Sequence, residues 1–209
     1  MRIKELISEG LTHPVIVVDV QPEYCGSNAV CQRVVNFVNK QTGPVLMFVN
    51  AEDMGMTGDT IESIRTWWEE MAGAEYDEES GTYSEAVNWG RFTIVDKGYG
   101  YLRSWMDHGI EPSVIIATIR EMYAQKVNDS RDLRFPAFNR RTTTQSLIMG
   151  AIEEMDGDPL ITNWISIAQL KRFSGSYIVG GGRNECLREV ELLMNAFNIK
   201  YKRIDSLVY

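Results

Sequence analysis

The sequence has 209 residues, of which 44% are hydrophobic and 24% are charged, a balance typical of a globular chain that can bury a core of its own. The formal net charge of −8 argues against a nucleic acid or an anionic membrane surface as the main partner. No apolar run approaches the roughly 20 residues that cross a bilayer. The first ten residues, MRIKELISEG, carry too many charges for a signal peptide.

The cysteines and histidines bear on the compartment and on metal binding. Cys25, Cys31 and Cys186 are an odd number, far below the density of a disulfide-stapled scaffold. Such usage is typical of a reducing compartment, so we expect a cytoplasmic protein. Because the cysteines show no metal spacing and the chain has only His13 and His108, we expect no metal and no other cofactor.

Apolar strands and amphipathic helices alternate along the chain. Residues 15–20 and 45–49 are continuous apolar runs, the pattern of strands covered on both faces, and a helix with valines at helical spacing lies between them. The later elements are a helix from Ile61 to Trp68 behind Thr60 as its cap, strand 92–95, helix 99–107, strand 177–179, helix 184–197 and strand 201–204.

This alternation predicts parallel βαβ units with right-handed crossovers. We expect a single α/β domain over residues 1–209, with a three-layer Rossmann-like fold and a parallel sheet of about five strands in an order like 3-2-1-4-5. Residues 111–158 hold two further helical patterns joined by an arginine-rich loop. They predict a helical insertion between strands 3 and 4 that covers the active-site edge or forms a subunit interface.

A reactive side chain follows each of three predicted strands. Asp19 ends the first strand, Lys97 follows the third, and Cys186 follows the fourth across three glycines at 180–182. Each residue alone has an ordinary structural explanation. In open parallel sheets, however, ligands bind outside the carboxyl ends of the strands. We therefore expect the acid, the amine and the thiol to meet at one edge of the sheet.

The three side chains suit nucleophilic catalysis. A helix N-terminus and a nearby ammonium lower the pKa of a thiol, which predicts a reactive thiolate at Cys186 that iodoacetamide labels faster than Cys25 or Cys31. Asp19 can accept the thiol proton and pass it to a leaving amine, while Lys97 keeps Asp19 ionised. The glycine turn lets backbone N–H groups approach a developing oxyanion.

At these positions the sequence resembles the isochorismatase-like (cysteine hydrolase) superfamily. Asp19-Val20-Gln21 is similar to the family's D-x-Q pattern, Lys97 follows the third strand as the family lysine does, and "GGGRNEC" at 180–186 is similar to the cysteine motif. The resemblance implies a hydrolase of a small amide, carbamoyl or related C–N substrate. It also implies a homo-oligomer that binds a small-molecule substrate.

The resemblance further implies residue roles. Cys186, Asp19 and Lys97 would be catalytic. The residues expected to bind substrate are Gln21, Gly181, Gly182 and Arg183. A non-proline cis peptide would join Gly181 to Gly182.

Two positions differ from the family pattern. Arg183 stands where the family has a small hydroxyl residue, and its guanidinium can pair with a carboxylate or phosphate of the substrate. Nicotinamidases carry an Asp and two His for a metal after the second strand, whereas "FVNAEDMGM" has Glu52 and Asp53 but no histidine. We therefore do not expect a nicotinamidase.

Two alternatives remain open. The chain can be a catalytically inactive isochorismatase-fold protein that serves in binding or assembly. It can also be a nucleotide-binding module, because a strand, a glycine turn and a helix form a phosphate site. The G-x-G-x-x-G pattern fails at its last position, Glu185, and no P-loop lysine is present.

Overall fold

A parallel sheet forms the centre of the computed structural model, which describes residues 12–26, 28–51, 58–97, 102–135, 142–154 and 165–209. The strands of the sheet are β1 (Val15–Val18), β2 (Val45–Val49), β5 (Phe92–Asp96), β6 (Ser176–Gly180) and β7 (Tyr201–Arg203). A separate antiparallel hairpin consists of β3 (Tyr76–Asp77) and β4 (Thr82–Tyr83).

The strands of the sheet lie in the order β5-β2-β1-β6-β7, and every neighbouring pair is parallel. Counted along the chain without the hairpin, this is the order 3-2-1-4-5; the strand numbers differ because the sequence did not predict β3 and β4. The chain adds β2 and β5 on one side of β1 and then returns to place β6 and β7 on the other. The switch point of this topology is therefore between β1 and β6, where such sheets bind ligands.

Helices cover both faces of the sheet. They are α1 (Pro22–Cys25), α2 (Ala29–Asn39), α3 (Ile61–Met71), α4 (Arg103–Asp107), α5 (Pro112–Gln125), α6 (Thr143–Glu154), α7 (Ile167–Lys171) and α8 (Cys186–Ala196). The predicted cap of α3 is confirmed: Thr60 accepts a hydrogen bond from the backbone N–H of Ser63 and forms a capping box with it.

Two apolar cores, one on each face, make the fold three-layered. Ile16 and Val18 of β1 pack in the core that contains α5 and α8, and Val15 and Val17 pack in the core that contains α2 and α3. Successive side chains of a strand point to opposite faces, so a continuous apolar strand can serve both cores. The predicted α/β three-layer fold is confirmed.

The first helix of the predicted insertion is α5, and its apolar stripe is buried within the chain. Val114, Ile115, Ile119 and Met122 lie in the same core as the inner face of α8. The structure shows this stripe covered by the chain's own sheet and helices. Of the arginines in the connecting loop, Arg140 and Arg141 lie outside the described residues.

Cys25 and Cys31 form a disulfide that the cysteine count did not predict. It joins the last residue of α1 to the first turn of α2, where the two Cα atoms are 6.0 Å apart, within the usual range for a disulfide. The sequence did not predict the pairing because a cysteine count alone does not show which cysteines the fold brings together. A disulfide is unexpected in a reducing compartment.

Candidate functional site

Asp19 is held by its backbone at the end of β1. Its N–H donates to the carbonyl of Phe48 at 2.9 Å, and its own carbonyl accepts a hydrogen bond from the Tyr209 hydroxyl at 2.6 Å. Its φ of +48° lies in the left-handed region, which aspartate tolerates better than most residues. The side chain, only 1% exposed, is thereby turned into the interior at the sheet edge.

Lys97 reaches the same place from β5. Its N–H donates to the carbonyl of Val49 at 2.8 Å, so the β2–β5 ladder continues one residue past the strand. Its Nζ lies 3.1 Å from Oδ2 of Asp19, and both side chains are buried. Burial lowers the pKa of Lys97, but attraction to Asp19 and Glu189 outweighs it and raises that pKa above its usual range. Lys97 is therefore a charged, buried ammonium.

The glycine turn after β6 leads the chain tightly into α8. Gly180 has φ +80°, and a Cβ atom there would lie 2.5 Å from the carbonyl oxygen of Val18. Gly181 has φ +64°, also in the region that favours glycine. This turn places Cys186 at the first position of α8 with a free, partly exposed thiol.

The thiol of Cys186 is not the thiolate that the sequence predicted. Burial raises the pKa of Cys186, and the negative charge of Asp19 raises it further, while Lys97 opposes both effects. The helix N-terminus and the Lys97 ammonium were expected to lower this pKa, but the loss of solvent on burial outweighs their effect. Cys186 is therefore a neutral thiol near pH 7 and needs a base to become a nucleophile.

A cavity of about 490 Å³ opens above these residues, at the carboxyl edge between β1 and β6. It is lined by Asp19, Tyr24, Gly182, Arg183, Asn184, Glu185, Cys186 and Tyr209. Lys97 lies behind Asp19 and does not reach the cavity wall. The three predicted catalytic residues therefore meet as expected, with Asp19 and Cys186 facing the cavity.

Tyr24 and Tyr209 are cavity residues that the sequence did not single out. Tyr24 lies on α1, directly after β1, and its hydroxyl accepts a hydrogen bond from the Asn50 side chain at 2.7 Å. An aromatic residue so soon after a strand that ends in aspartate was a signal that sequence reasoning could have used. Tyr209 gave no such signal, because it follows β7 and reaches the site only through the fold.

The four predicted substrate-binding residues are placed differently from one another. Gly182 and Arg183 line the cavity, whereas Gly181 lies in the turn behind it. Gln21 is fully buried beside the site: its Nε2 donates to the Asn50 carbonyl and to Asp59, and its Oε1 accepts from the Asn50 N–H. Gln21 thus connects the ends of β1 and β2 and does not line the cavity.

Hydrogen bonds within the chain occupy much of the glycine turn. The N–H of Arg183 donates to the Tyr209 carbonyl, and the N–H groups of Glu185 and Leu187 donate to the carbonyl of Gly182. Those three amides are not available to a phosphate. The Glu185 side chain also lines the cavity, and its carboxylate would repel one. The turn is therefore a poor phosphate cradle, which argues against the nucleotide-binding alternative.

Three further expectations concern the backbone, metal binding and membrane-spanning helices. All peptide bonds of the described residues are trans, so the cis peptide expected at Gly181–Gly182 is wrong. The described ranges contain no cluster of three or more His, Cys, Asp or Glu side chains that could hold a metal, and Glu52 and Asp53 lie outside those ranges. Nor does any helix in this part of the chain have the length and apolarity to cross a membrane.

Comparisons with protein-family models, with curated proteins and with solved structures gave no match. The functional conclusion therefore depends on the geometry and electrostatics of this site.

Proposed function

We propose that the chain is an isochorismatase-like cysteine hydrolase that cleaves a small amide, carbamoyl or related C–N substrate. One observation carries the proposal. A free cysteine at the start of α8 shares a cavity with Asp19, whose buried carboxylate lies 3.1 Å from the ammonium of Lys97. Nucleophile, base and a fixed positive charge are the parts that covalent acyl transfer requires.

The first half of the reaction forms a thioester. Asp19 accepts the thiol proton as Sγ of Cys186 attacks the substrate carbonyl carbon, so the buried thiol becomes nucleophilic only at the moment of attack. The oxyanion receives a hydrogen bond from the backbone N–H of Cys186, the first residue of α8, since the N–H groups of Leu187 and Glu189 already donate to the carbonyls of Gly182 and Glu185. Protonated Asp19 then gives its proton to the leaving nitrogen, and the C–N bond breaks.

The second half hydrolyses the thioester. Asp19, ionised again, takes a proton from a water molecule whose oxygen attacks the thioester carbonyl carbon. The C–S bond breaks, the acid product leaves, and the proton returns to the sulfur of Cys186. Lys97 remains charged throughout and keeps its ammonium beside the Asp19 carboxyl in both halves.

Arg183 indicates the charge of the substrate. Its side chain is half exposed at the cavity, and its Nη1 pairs with Asp205 at 3.1 Å in an ion pair that water screens. A substrate carboxylate can replace that exposed pair at little cost. We therefore propose that acidic amides or carbamoyl compounds are preferred over neutral ones.

The test is ammonia release from a panel of small amides and carbamoyl compounds, each with and without a carboxylate. We expect Cys186→Ser and Asp19→Asn to lower kcat/KM by about a hundredfold or more. Asp77→Asn, which makes the same change in the exposed β3–β4 hairpin, should leave the rate unchanged. Turnover that survives in Cys186→Ser, or the absence of turnover and of any acylated Cys186 across the panel, would contradict the proposal.

A catalytically inactive binding protein is the second candidate, and one observation favours it. The raised pKa of Cys186 makes its resting thiol a weak nucleophile. In that case, a ligand of the same panel binds in the cavity and protects Cys186 from alkylation without forming a covalent adduct. Mass spectrometry of the intact chain separates the two candidates, since only the hydrolase acquires the mass of the acyl group.

We also propose a homo-oligomer, as the family resemblance implies, and a cytoplasmic location, as the few cysteines of the sequence predict. The Cys25–Cys31 disulfide is the observation that speaks against a reducing compartment.

A further inference from the structure

Glu189 is a second buried acid beside Lys97. It lies three residues after Cys186 on α8, on the same side of the helix, and is only 2% exposed. Its Oε2 lies 3.5 Å from Nζ of Lys97, and its Oε1 accepts a hydrogen bond from the backbone N–H of Leu102 at 3.0 Å. It does not line the cavity.

Lys97 contacts two buried carboxylates at once. Asp19 and Glu189 lie against the same ammonium, at 3.1 Å and 3.5 Å. Buried charges are costly unless they are paired, so these ion pairs hold the cluster together. Val190 and Leu193 of α8 lie in the apolar core.

From this arrangement we propose that Glu189 is a positioning residue for the cysteine hydrolase reaction proposed above: it holds the ammonium of Lys97 against Asp19 through every protonation state of the cycle. The proposal rests on that function for its catalytic meaning. The geometry that carries it, a buried ammonium between two carboxylates, is independent of the substrate.

The need for a second acid arises when Asp19 takes the proton of Cys186. At that moment the carboxylate of Asp19 becomes neutral, and its attraction for Lys97 falls. The ion pair with Glu189 persists, so the buried ammonium stays charged and in place beside the new thiolate. By also accepting the Leu102 N–H, Glu189 ties α8, which carries the nucleophile, to the start of α4.

Glu189→Gln tests the proposal because it removes the charge and keeps the size and an oxygen for the Leu102 N–H. The first readout is the rate of Cys186 alkylation by iodoacetamide against pH, without reductant so that Cys25 and Cys31 stay joined. Loss of a nearby negative charge favours the thiolate, so the midpoint should move down by about one pH unit. The second readout is turnover: we expect kcat to fall about tenfold or more with KM unchanged, because Glu189 does not line the cavity.

Glu191→Gln is the matched control. Glu191 lies two residues further on α8 and is also buried, but it pairs with Arg188 at 3.4 Å and with Arg203 at 3.2 Å. The same loss of charge there should leave both readouts unchanged. Equal pH profiles for the wild type and Glu189→Gln, or an equal shift in Glu191→Gln, would overturn the proposal.

Two further outcomes are informative. If Glu189→Gln does not fold, the double variant with Lys97→Met removes both charges of the ion pair; recovery of folding supports the coupling, and failure of both variants overturns it. If the midpoint shifts but no panel compound is hydrolysed by the wild type, the charge of Glu189 does act on the cluster around Cys186 and the hydrolase proposal alone has failed.

Discussion

Tyr209 fixes the position of Asp19 through a hydrogen bond to its backbone. Its hydroxyl donates to the Asp19 carbonyl at 2.6 Å, and its own backbone pairs with Gly181 and Arg183 of the glycine turn. A single residue therefore connects Asp19 at the end of β1 to the turn that carries Cys186. Since Asp19 adopts an uncommon φ of +48°, the hydrogen bond from Tyr209 helps to keep its carboxylate aimed at Cys186.

We expect Tyr209→Phe to lower the free energy of unfolding by about 1 kcal/mol, the usual value for one such hydrogen bond. Turnover should fall about tenfold, because small displacements of a catalytic group are costly. Urea denaturation and steady-state kinetics measure the two effects. Tyr201→Phe is the control, since the Tyr201 hydroxyl accepts a long 3.5 Å hydrogen bond from Asn195 away from the site. Equal losses in both variants would mean that the Tyr209 hydroxyl has no special role.

Residue type and strand order sufficed to predict where Asp19, Lys97 and Cys186 lie, because strand ends of a parallel sheet share one edge. They did not suffice for the protonation state of Cys186. That state depends on how much solvent the folded chain removes, and a position at a helix start does not reveal burial. Glu189 was missed for the same reason: within a helix, a buried acid and an exposed one look alike in sequence.

The turn between β6 and α8 is the element on which the site depends most. Gly180 packs its backbone against β1 so closely that a Cβ atom would lie 2.5 Å from both the Val18 carbonyl oxygen and Cγ2 of Val20. This close approach brings Cys186 to the end of β1, where it shares a cavity with Asp19. The first role of these glycines is therefore to let β6 pack closely against β1. The approach of a ligand is their second role.

Gly180→Ala should lower the free energy of unfolding by about 3 kcal/mol or more, since it combines a positive φ with a backbone clash. Gly175→Ala is the matched control. Gly175 has φ +87°, but a Cβ atom added there would meet no atom of the described residues within 4 Å, so the change should cost only about 1 kcal/mol. Thermal or urea unfolding measures both. A similar cost at the two positions would show that backbone strain alone, and not the contact with β1, accounts for the glycine.

At the scale of the whole molecule, the alternation of strands and helices predicted the sheet and its strand order, because crossover handedness leaves few other arrangements. The β3–β4 hairpin was not predicted because each of its strands has only two residues, too few for a period-2 pattern. The sequence also could not decide what covers the apolar stripe of α5. That stripe has the same pattern whether it faces the chain's own core or another copy.

The last prediction distinguishes those two arrangements in solution. Ile119 of α5 is fully buried in the core that it shares with α8, so Ile119→Ala should lower the free energy of unfolding by about 3 kcal/mol. Because the contact is within one chain, this loss should be the same at every protein concentration. Leu147→Ala on α6 is the control: Leu147 is 53% exposed, and its truncation should change stability by no more than about 0.5 kcal/mol.

Urea unfolding at several protein concentrations, with light scattering on the same samples, provides the measurement. If the chain forms the expected homo-oligomer, its interface must then use a surface other than the α5 stripe. A loss for Ile119→Ala that grows on dilution would contradict the internal packing, because only a contact between copies depends on concentration. In that event α5 would belong to the subunit interface, and α8, with Cys186 and Glu189 on it, would be positioned partly by the neighbouring copy.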